Sequence, residues 1–169
     1  MKLASLLVLS LFALAACAKE NAPQPVTQRE GEPMVTGFQA EDQEMNAAMR
    51  KARDTLAEFE ARLSKPPATQ QHIGLKGRFE EDGNVEHMWV DDIEITAEGY
   101  RGKLGNHPVD IQSIAVGSEV LVKRENVSDW MAIDDGNLVG GFALRVQRGR
   151  MTPQQRADFD ASADFAIED

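Results

Sequence analysis

The chain has 169 residues, and its 28 acids outnumber its 18 lysines and arginines, which gives a formal net charge of −10 at pH 7. This excess of negative charge argues against nucleic-acid binding, because a nucleic-acid interface needs a basic face. The length suits one hydrophobic core and is too short for two.

The first seventeen residues have the pattern of an export signal. Lys2 precedes an uncharged apolar run, Leu3 to Ala16, that is too short to cross a bilayer comfortably as a helix. The run closes on Leu14-Ala15-Ala16-Cys17, which resembles the lipobox of bacterial lipoproteins, where the cysteine is acylated and becomes the mature N-terminus. We therefore predict a lipoprotein signal peptide over residues 1–16 and a lipid on Cys17. An ordinary cleaved signal peptide and a retained transmembrane anchor are the alternatives.

A lipid on Cys17 predicts that the chain is anchored to a bacterial membrane. Neither Ala18 nor Lys19 is the aspartate that, by resemblance to Gram-negative lipoproteins, retains a protein in the inner membrane. We therefore expect the outer membrane, with the domain facing the periplasm. Cys17 is the only cysteine, so its acylation leaves no thiol for an intrachain disulfide.

The processed chain is expected to consist of a linker, one domain and a tail. Residues 17–39 are rich in Pro, Gln, Glu and Asn and show no apolar periodicity, which predicts a disordered linker. The domain is expected over residues 40–162. Residues 163–169 are expected to form an acidic tail.

Two helices are predicted, one at each end of the domain. Between residues 41 and 63 apolar side chains recur at spacings of three and four, which predicts one amphipathic helix before Pro66-Pro67. Its apolar stripe consists of Met45, Met49, Ala52, Leu56, Phe59 and Leu63. Thr152 and Gln155 form a predicted capping box, with Pro153 at the first helical position, and this helix is expected to run through about Phe159.

Between these helices the apolar period changes from 3.6 to 2, which indicates strands. Asp82-Gly83 and Asp135-Gly136 predict two hairpin turns, because glycine readily adopts positive φ. The strand after the second turn is expected to run from Leu138 to Val146, with a β-bulge or a close backbone or ligand approach at Gly140-Gly141. In the first hairpin one parity is shared by Val85, His87, Trp89, Ile93 and Ile95.

The fold class predicted from this order is α+β. A bent antiparallel sheet of about five to six short strands should carry the N-terminal amphipathic helix on one face, with a short C-terminal helix. The helix stripe would then cover the apolar side of the sheet.

Polar and aromatic residues cluster in two of the predicted strands. Glu86, His87 and Trp89 fall in one strand, and Asp129 and Trp130 fall in another. If both tryptophans are partly exposed on one face, they would anchor a protein or peptide partner. We therefore predict these five residues as a candidate binding patch. The competing interpretations are a structural, hydrogen-bonded histidine for His87 and a carboxylate that accepts backbone N–H groups for Asp129.

Several of these segments together resemble the DUF2314 domain of bacteria. They are Glu86-His87-Met88-Trp89-Val90, Gly117 before a valine-rich strand, Ser128-Asp129-Trp130-Met131, and Gly140-Gly141-Phe142. The resemblance spans about Ala40 to Phe159, which is nearly all of the predicted domain. It implies a fold unit and no activity, because the family has no assigned function and offers no catalytic residues to carry over.

An enzyme is the alternative interpretation of the same residues. His87 and Asp129, with Ser128 or Glu86 nearby in sequence, could serve a small envelope hydrolase. However, the sequence has no nucleophile elbow or phosphate loop, and its three histidines lack the close pairing and cysteine partners of a zinc site. We therefore expect no metal or cofactor, and favour a non-catalytic accessory domain that binds an envelope protein, a peptide or another ligand.

Overall fold

The computed structural model describes residues 42–168 and, nearer the N-terminus, the backbone of two short strands. These strands, β1 (Val26–Thr27) and β2 (Val35–Thr36), pair antiparallel within the predicted linker. The predicted signal peptide and Cys17 lie outside the described residues, as does Asp169. None of the helices in the described part of the chain is both long and apolar enough to span a membrane.

The described domain consists of a six-stranded antiparallel sheet and four helices, so the predicted α+β class is confirmed. The strand order is β6-β5-β4-β3-β7-β8. The strands are β3 (Gln70–Glu81), β4 (Asn84–Thr96), β5 (Gly99–Leu104), β6 (Glu119–Val122), β7 (Val127–Asp134) and β8 (Asn137–Gly140). The helices are α1 (Gln43–Asp54), α2 (Leu56–Ser64), α3 (Phe142–Arg150) and α4 (Pro153–Ser162), with a 3-10 turn at Arg124–Asn126.

The predicted N-terminal helix is divided into α1 and α2 by Thr55, so the prediction of one helix is corrected. The Thr55 hydroxyl donates to the Lys51 carbonyl at 2.8 Å and accepts from the Trp130 indole Nε1 at 2.9 Å. A threonine that bonds back to the preceding turn bends a helix. The apolar stripe nevertheless continues across this bend: Met45 and Ala52 of α1 and Phe59 of α2 are all buried.

Both predicted hairpin turns are confirmed. Asp82 and Gly83 have φ values of 51° and 83°, and Asp135 and Gly136 have 49° and 73°. Two successive positive φ angles define the type I′ turn, whose twist matches that of the flanking strands. These turns fix the registers of β3 with β4 and of β7 with β8.

The second hairpin ends earlier than predicted, because β8 stops at Gly140 and α3 begins at Phe142. Gly140 and Gly141 both have positive φ, and the Gly141 N–H donates to the Trp130 carbonyl at 2.8 Å. A Cβ atom on Gly140 would lie 2.5 Å from that same carbonyl oxygen. The glycine pair therefore marks a close backbone approach and the change from strand to helix. Further along, the predicted capping box at the start of α4 is confirmed.

The main core lies between the helices and one face of the sheet, with Trp130 fully buried in it. The rings of Phe59 and Phe142 each lie 5.9 Å from the Trp130 ring, and Tyr100 lies 5.6 Å from Phe59. Lys51 of α1 also lies over the Phe142 ring. Helices α1, α2 and α3 therefore cover the same face of the sheet.

A β-bulge in β4 reverses which of its side chains face the helices. Val90 lies in the core, and Trp89 consequently points to the opposite face. The register with β5 shifts around Asp92, which has a φ of 51°, and Ile93 packs on the helix-covered core. The expectation that Val85, His87, Trp89, Ile93 and Ile95 share one face is therefore wrong, because a bulge adds one residue to the alternation.

Candidate functional site

The sheet face opposite the core carries polar side chains on three adjacent strands. Lys76 of β3 pairs with Trp89 of β4 on one side and with Asp129 of β7 on the other. Residues two positions apart on a strand share a face. We call this surface the polar face, and define it by His72, Lys76, Arg78, His87, Trp89, Asp91 and Asp129.

Lys76 and Trp89 form the centre of the polar face. Their residues are only 5% and 6% exposed, and the Lys76 ammonium lies 5.3 Å from the centroid of the Trp89 ring. Burial lowers the pKa of Lys76 to about 8, and the charge of Asp129 opposes that shift. An ammonium over an indole ring is stabilised by the ring quadrupole. The centre of this face thus combines an aromatic surface with a poorly solvated positive charge.

Three side chains converge over Gly74 at the accessible side of this centre. A Cβ atom on Gly74 would lie 3.2 Å from His72 Nε2, 3.3 Å from Asp91 Oδ1 and 3.7 Å from the Trp89 ring. The histidine and aspartate atoms are 3.7 Å apart, and their side chains are 43% and 41% exposed. Burial raises the pKa of Asp91, while His72 opposes this shift. The absent side chain at Gly74 therefore leaves room for an exposed polar pair beside the buried tryptophan.

Asp129 anchors the start of α3. Its carboxylate accepts hydrogen bonds from the Phe142, Ala143 and Leu144 N–H groups at 2.9–3.2 Å, and also from the Trp130 N–H at 2.9 Å. The residue before this helix is a glycine, which has no capping side chain, so Asp129 supplies the negative group that a helix N-terminus favours. Burial raises the pKa of Asp129 to about 6, against the opposing effect of Lys76 and of these hydrogen bonds. Its sequence-based interpretation as an acceptor of backbone N–H groups agrees with this geometry.

Glu86 has an analogous role on the other face of the sheet. Its carboxylate accepts from the Val109 N–H at 3.0 Å, the Ile111 N–H at 2.9 Å and the Asp110 N–H. The loop that follows β5 is thereby fixed along the edge of β4, where Asn106 also accepts from the Trp89 N–H at 2.8 Å. Glu86 is thus a buried loop anchor.

His87 is a partly buried residue that pairs across the sheet with Arg78. Burial lowers the pKa of His87 to about 4, and the charges of Lys76 and Arg78 act in the same direction. The imidazole is therefore neutral at pH 7. His87 and Asp129 lie on β4 and β7, with β3 between them, and are paired with different residues of β3.

The five residues predicted as a binding patch do not form one surface. Glu86 and Trp130 lie on the helix-covered side, whereas His87, Trp89 and Asp129 lie on the polar face. Four of the five are buried, and only His87 is partly exposed. The physical reason is that adjacent residues of a strand point to opposite faces. The prediction grouped these residues because they are close in sequence, but the sheet places them on opposite faces.

Sequence reasoning missed His72, Lys76, Arg78 and Asp91 as members of the site. The signal was available in the first hairpin, because a two-residue turn at Asp82-Gly83 places Lys76 opposite Trp89. The described residues contain no group of three or more His, Cys, Asp or Glu side chains that could hold a metal ion.

Comparison with known proteins adds a family and two relatives. The model of the DUF2314 family, described as an uncharacterized protein conserved in bacteria, matches residues 42–166. "Putative ankyrin repeat protein NMB1133/NMB1171" of Neisseria meningitidis serogroup B is 30% identical over 140 residues, which cover 78% of this chain and 55% of that protein. "Uncharacterized protein YegJ" of Escherichia coli K12 is 27% identical over 111 residues, or 66% of this chain and 71% of that protein.

The chain thus spans only about half the length of the Neisseria relative. No solved structure matches the chain.

Proposed function

Because this chain belongs to the DUF2314 family of uncharacterized bacterial proteins, we propose its function from its own surface: it is a non-catalytic binding domain. Its partner is an envelope protein or peptide that contacts the polar face. The lipid on Cys17 holds the domain at a bacterial membrane. We assign it to the outer membrane, with the domain facing the periplasm.

The observation that carries this proposal is the row formed by Trp89, Lys76 and Asp129 across three strands. Trp89 and Lys76 are themselves only 6% and 5% exposed, so a partner would contact the side chains that surround them. Around this centre lie the exposed polar pair His72 and Asp91 and the half-exposed Arg78. An aromatic centre surrounded by charged residues is the arrangement found at protein interfaces.

The geometry does not favour the alternative of a hydrolase that uses His87 and Asp129. Asp129 already accepts four backbone N–H groups and holds α3 in place. A catalytic partner for His87 would have to lie within hydrogen-bond reach of it, yet β3 separates the two residues. Binding is therefore the function that these residues support better.

Site-specific crosslinking in cells tests the proposed surface. A photoreactive residue placed at His72, on the polar face, is compared with one placed at Ala57, which is exposed on the helix side. We expect a discrete crosslinked product from position 72 only, and its loss when Arg78→Ala is added. Arg50→Ala, an exposed arginine on α1, is the matched control. Equal products from both positions, or no product from position 72, would reject the polar face as the interface.

The proposed anchor is tested separately. Cys17→Ser should abolish acylation and release the protein from membranes, as measured by mass spectrometry and fractionation. Ala18→Asp should retain the acylated protein in the inner membrane, while Ala18→Ser serves as the control. A Cys17→Ser protein that matures to the same length and still fractionates with membranes would contradict the lipobox interpretation.

A further inference from the structure

A second charged region lies far from the polar face in sequence, at the connection between α3 and α4. Four of the eleven arginines of this acidic chain fall within twelve residues there, namely Arg145, Arg148, Arg150 and Arg156. We call this region the arginine corner. Such a local excess of positive charge concentrates anions even on a protein with a negative net charge.

Two of these arginines are neutralised by carboxylates. Arg150 at the end of α3 binds Asp42 and Glu44 at the start of α1, with Nη2 2.7 Å from Asp42 Oδ1 and 2.9 Å from Glu44 Oε2. Arg148 donates to Asp160 of α4 through two nitrogens, each at 2.8 Å. Both pairs leave little positive charge for a ligand.

The other two arginines form no salt bridge with a carboxylate among residues 42–168, although the charge of Arg156 contributes to lowering the pKa of Asp160. Arg145 donates to the backbone carbonyls of Leu138, Gly140 and Glu168. Arg156 donates only to the Gly149 carbonyl, at 3.2 Å. Because a guanidinium has five N–H donors, both side chains keep unused donors.

A small cavity lies between these side chains. Its volume is about 250 Å³, and it is lined by Arg145, Arg148, Gly149, Arg156, Ile167 and Glu168. The Arg156 Nε atom is buried and has no hydrogen-bond partner among the described residues. Gly149 adds no side chain, and a Cβ atom built there would have no other atom within 4 Å. The cavity is therefore open enough for a ligand, and two arginines with unused N–H donors line it.

We propose that the arginine corner binds a phosphate group in this cavity. An anion there would accept from the unused N–H groups of Arg145 and Arg156. Arg145 and Arg156 come from two different helices, so their donors reach an anion from two directions. A phosphate, with several acceptor oxygens in a tetrahedral arrangement, can satisfy both, whereas a planar carboxylate has only two oxygens. The volume lies below that of typical drug-sized sites, which suits a head group rather than a large molecule.

Calorimetric titration with inorganic phosphate tests this site in the chain from residue 17 carrying Cys17→Ser. We expect saturable binding that weakens at least tenfold in Arg156→Ala, because this side chain makes only one long bond within the described protein. Arg50→Ala removes the same charge from an exposed position on α1 and should bind like the parent protein. Tryptophan fluorescence checks that each variant remains folded. Absence of saturable binding, or equal weakening in both variants, would overturn the proposal.

Vesicles distinguish the source of the phosphate. Sedimentation with phosphatidylglycerol vesicles that is lost in Arg156→Ala and reduced by inorganic phosphate would assign the site to a lipid head group. Saturable phosphate binding without Arg156-dependent sedimentation would assign it to a soluble phosphate compound. Both results support a phosphate site, and the polar-face crosslinking experiment is independent of either.

Discussion

The two faces of the sheet use the same strands in different ways. The helix-covered face buries Trp130 among the Phe59, Tyr100 and Phe142 rings, whereas the polar face surrounds Trp89 with charged residues. Each face also has a buried carboxylate that accepts from backbone N–H groups: Glu86 holds a loop, and Asp129 holds a helix. The comparison teaches that two tryptophans, and likewise two buried carboxylates, serve different purposes according to the face of the sheet on which they lie.

The largest expected difference is between the two tryptophans. Trp130→Ala should lower the free energy of unfolding by about 3–5 kcal/mol, because it removes the central ring of the core. Trp89→Ala should cost less, since that ring lies outside the main core and packs against the Lys76 ammonium. Urea unfolding of both variants measures the difference. Similar losses of unfolding free energy in the two variants would show that the polar face is a second core rather than a surface.

The next effect concerns Asp129 and its pH dependence. Asp129→Asn should cost about 2 kcal/mol near pH 5, because part of the cap on α3 is lost. The folded pKa of about 6 lies above the ordinary value of 3.8, so the folded state holds this proton more tightly than the unfolded state. The stability contributed by protonation is therefore complete below about pH 4 and is lost as pH rises through about 6.

The free energies of unfolding of wild type and Asp129→Asn, measured between pH 4 and pH 7, give this effect as their difference at each pH. The advantage of the wild type should shrink as pH rises. Subtracting the unfolding free energies of the two proteins cancels the opposite contribution of partly exposed acids such as Asp134 and Asp160, whose pKa values are lowered by their hydrogen-bond partners. A difference that stays constant or grows with pH would contradict the raised pKa.

A smaller and more local effect is expected at the other carboxylate. Glu86→Gln keeps the shape of the side chain but loses its charge, and should cost about 1–2 kcal/mol. Hydrogen exchange should accelerate mainly at the Val109, Asp110 and Ile111 amides, which donate to Glu86. Glu98→Gln, at an exposed position, is the control. Uniform acceleration across the sheet would mean that Glu86 supports the whole core rather than one loop.

Much of the fold was predictable because its signals are local. The Asp-Gly turns, the capping box at Thr152 and the stripe on α1 and α2 each depend on residues within a few positions of one another. The bend at Thr55 was not predictable, because it involves Trp130, which lies 75 residues further along the chain. The end of β8 was missed for a similar reason: Gly140 must admit the Trp130 carbonyl.

The candidate site was predicted only in part. His87, Trp89 and Asp129 were identified, but Lys76 was overlooked because a lysine in a strand is ordinarily a solvent-facing residue. Only the register of β3 with β4 and β7 places it between an indole and a carboxylate. Long-range pairing therefore decided which residues share the polar face.

The ion pairs of Arg150 with Asp42 and Glu44 also determine how the domain is tethered. Asp42 is where the preceding 41 residues join the described domain, and its pKa is lowered to about 2, chiefly by the hydrogen bond from Arg150. The preceding chain therefore joins the domain at a residue that is ion-paired to the end of α3, and so at the contact between α1 and α3. The attachment point of the preceding chain and the arginine corner thus meet at the end of one helix.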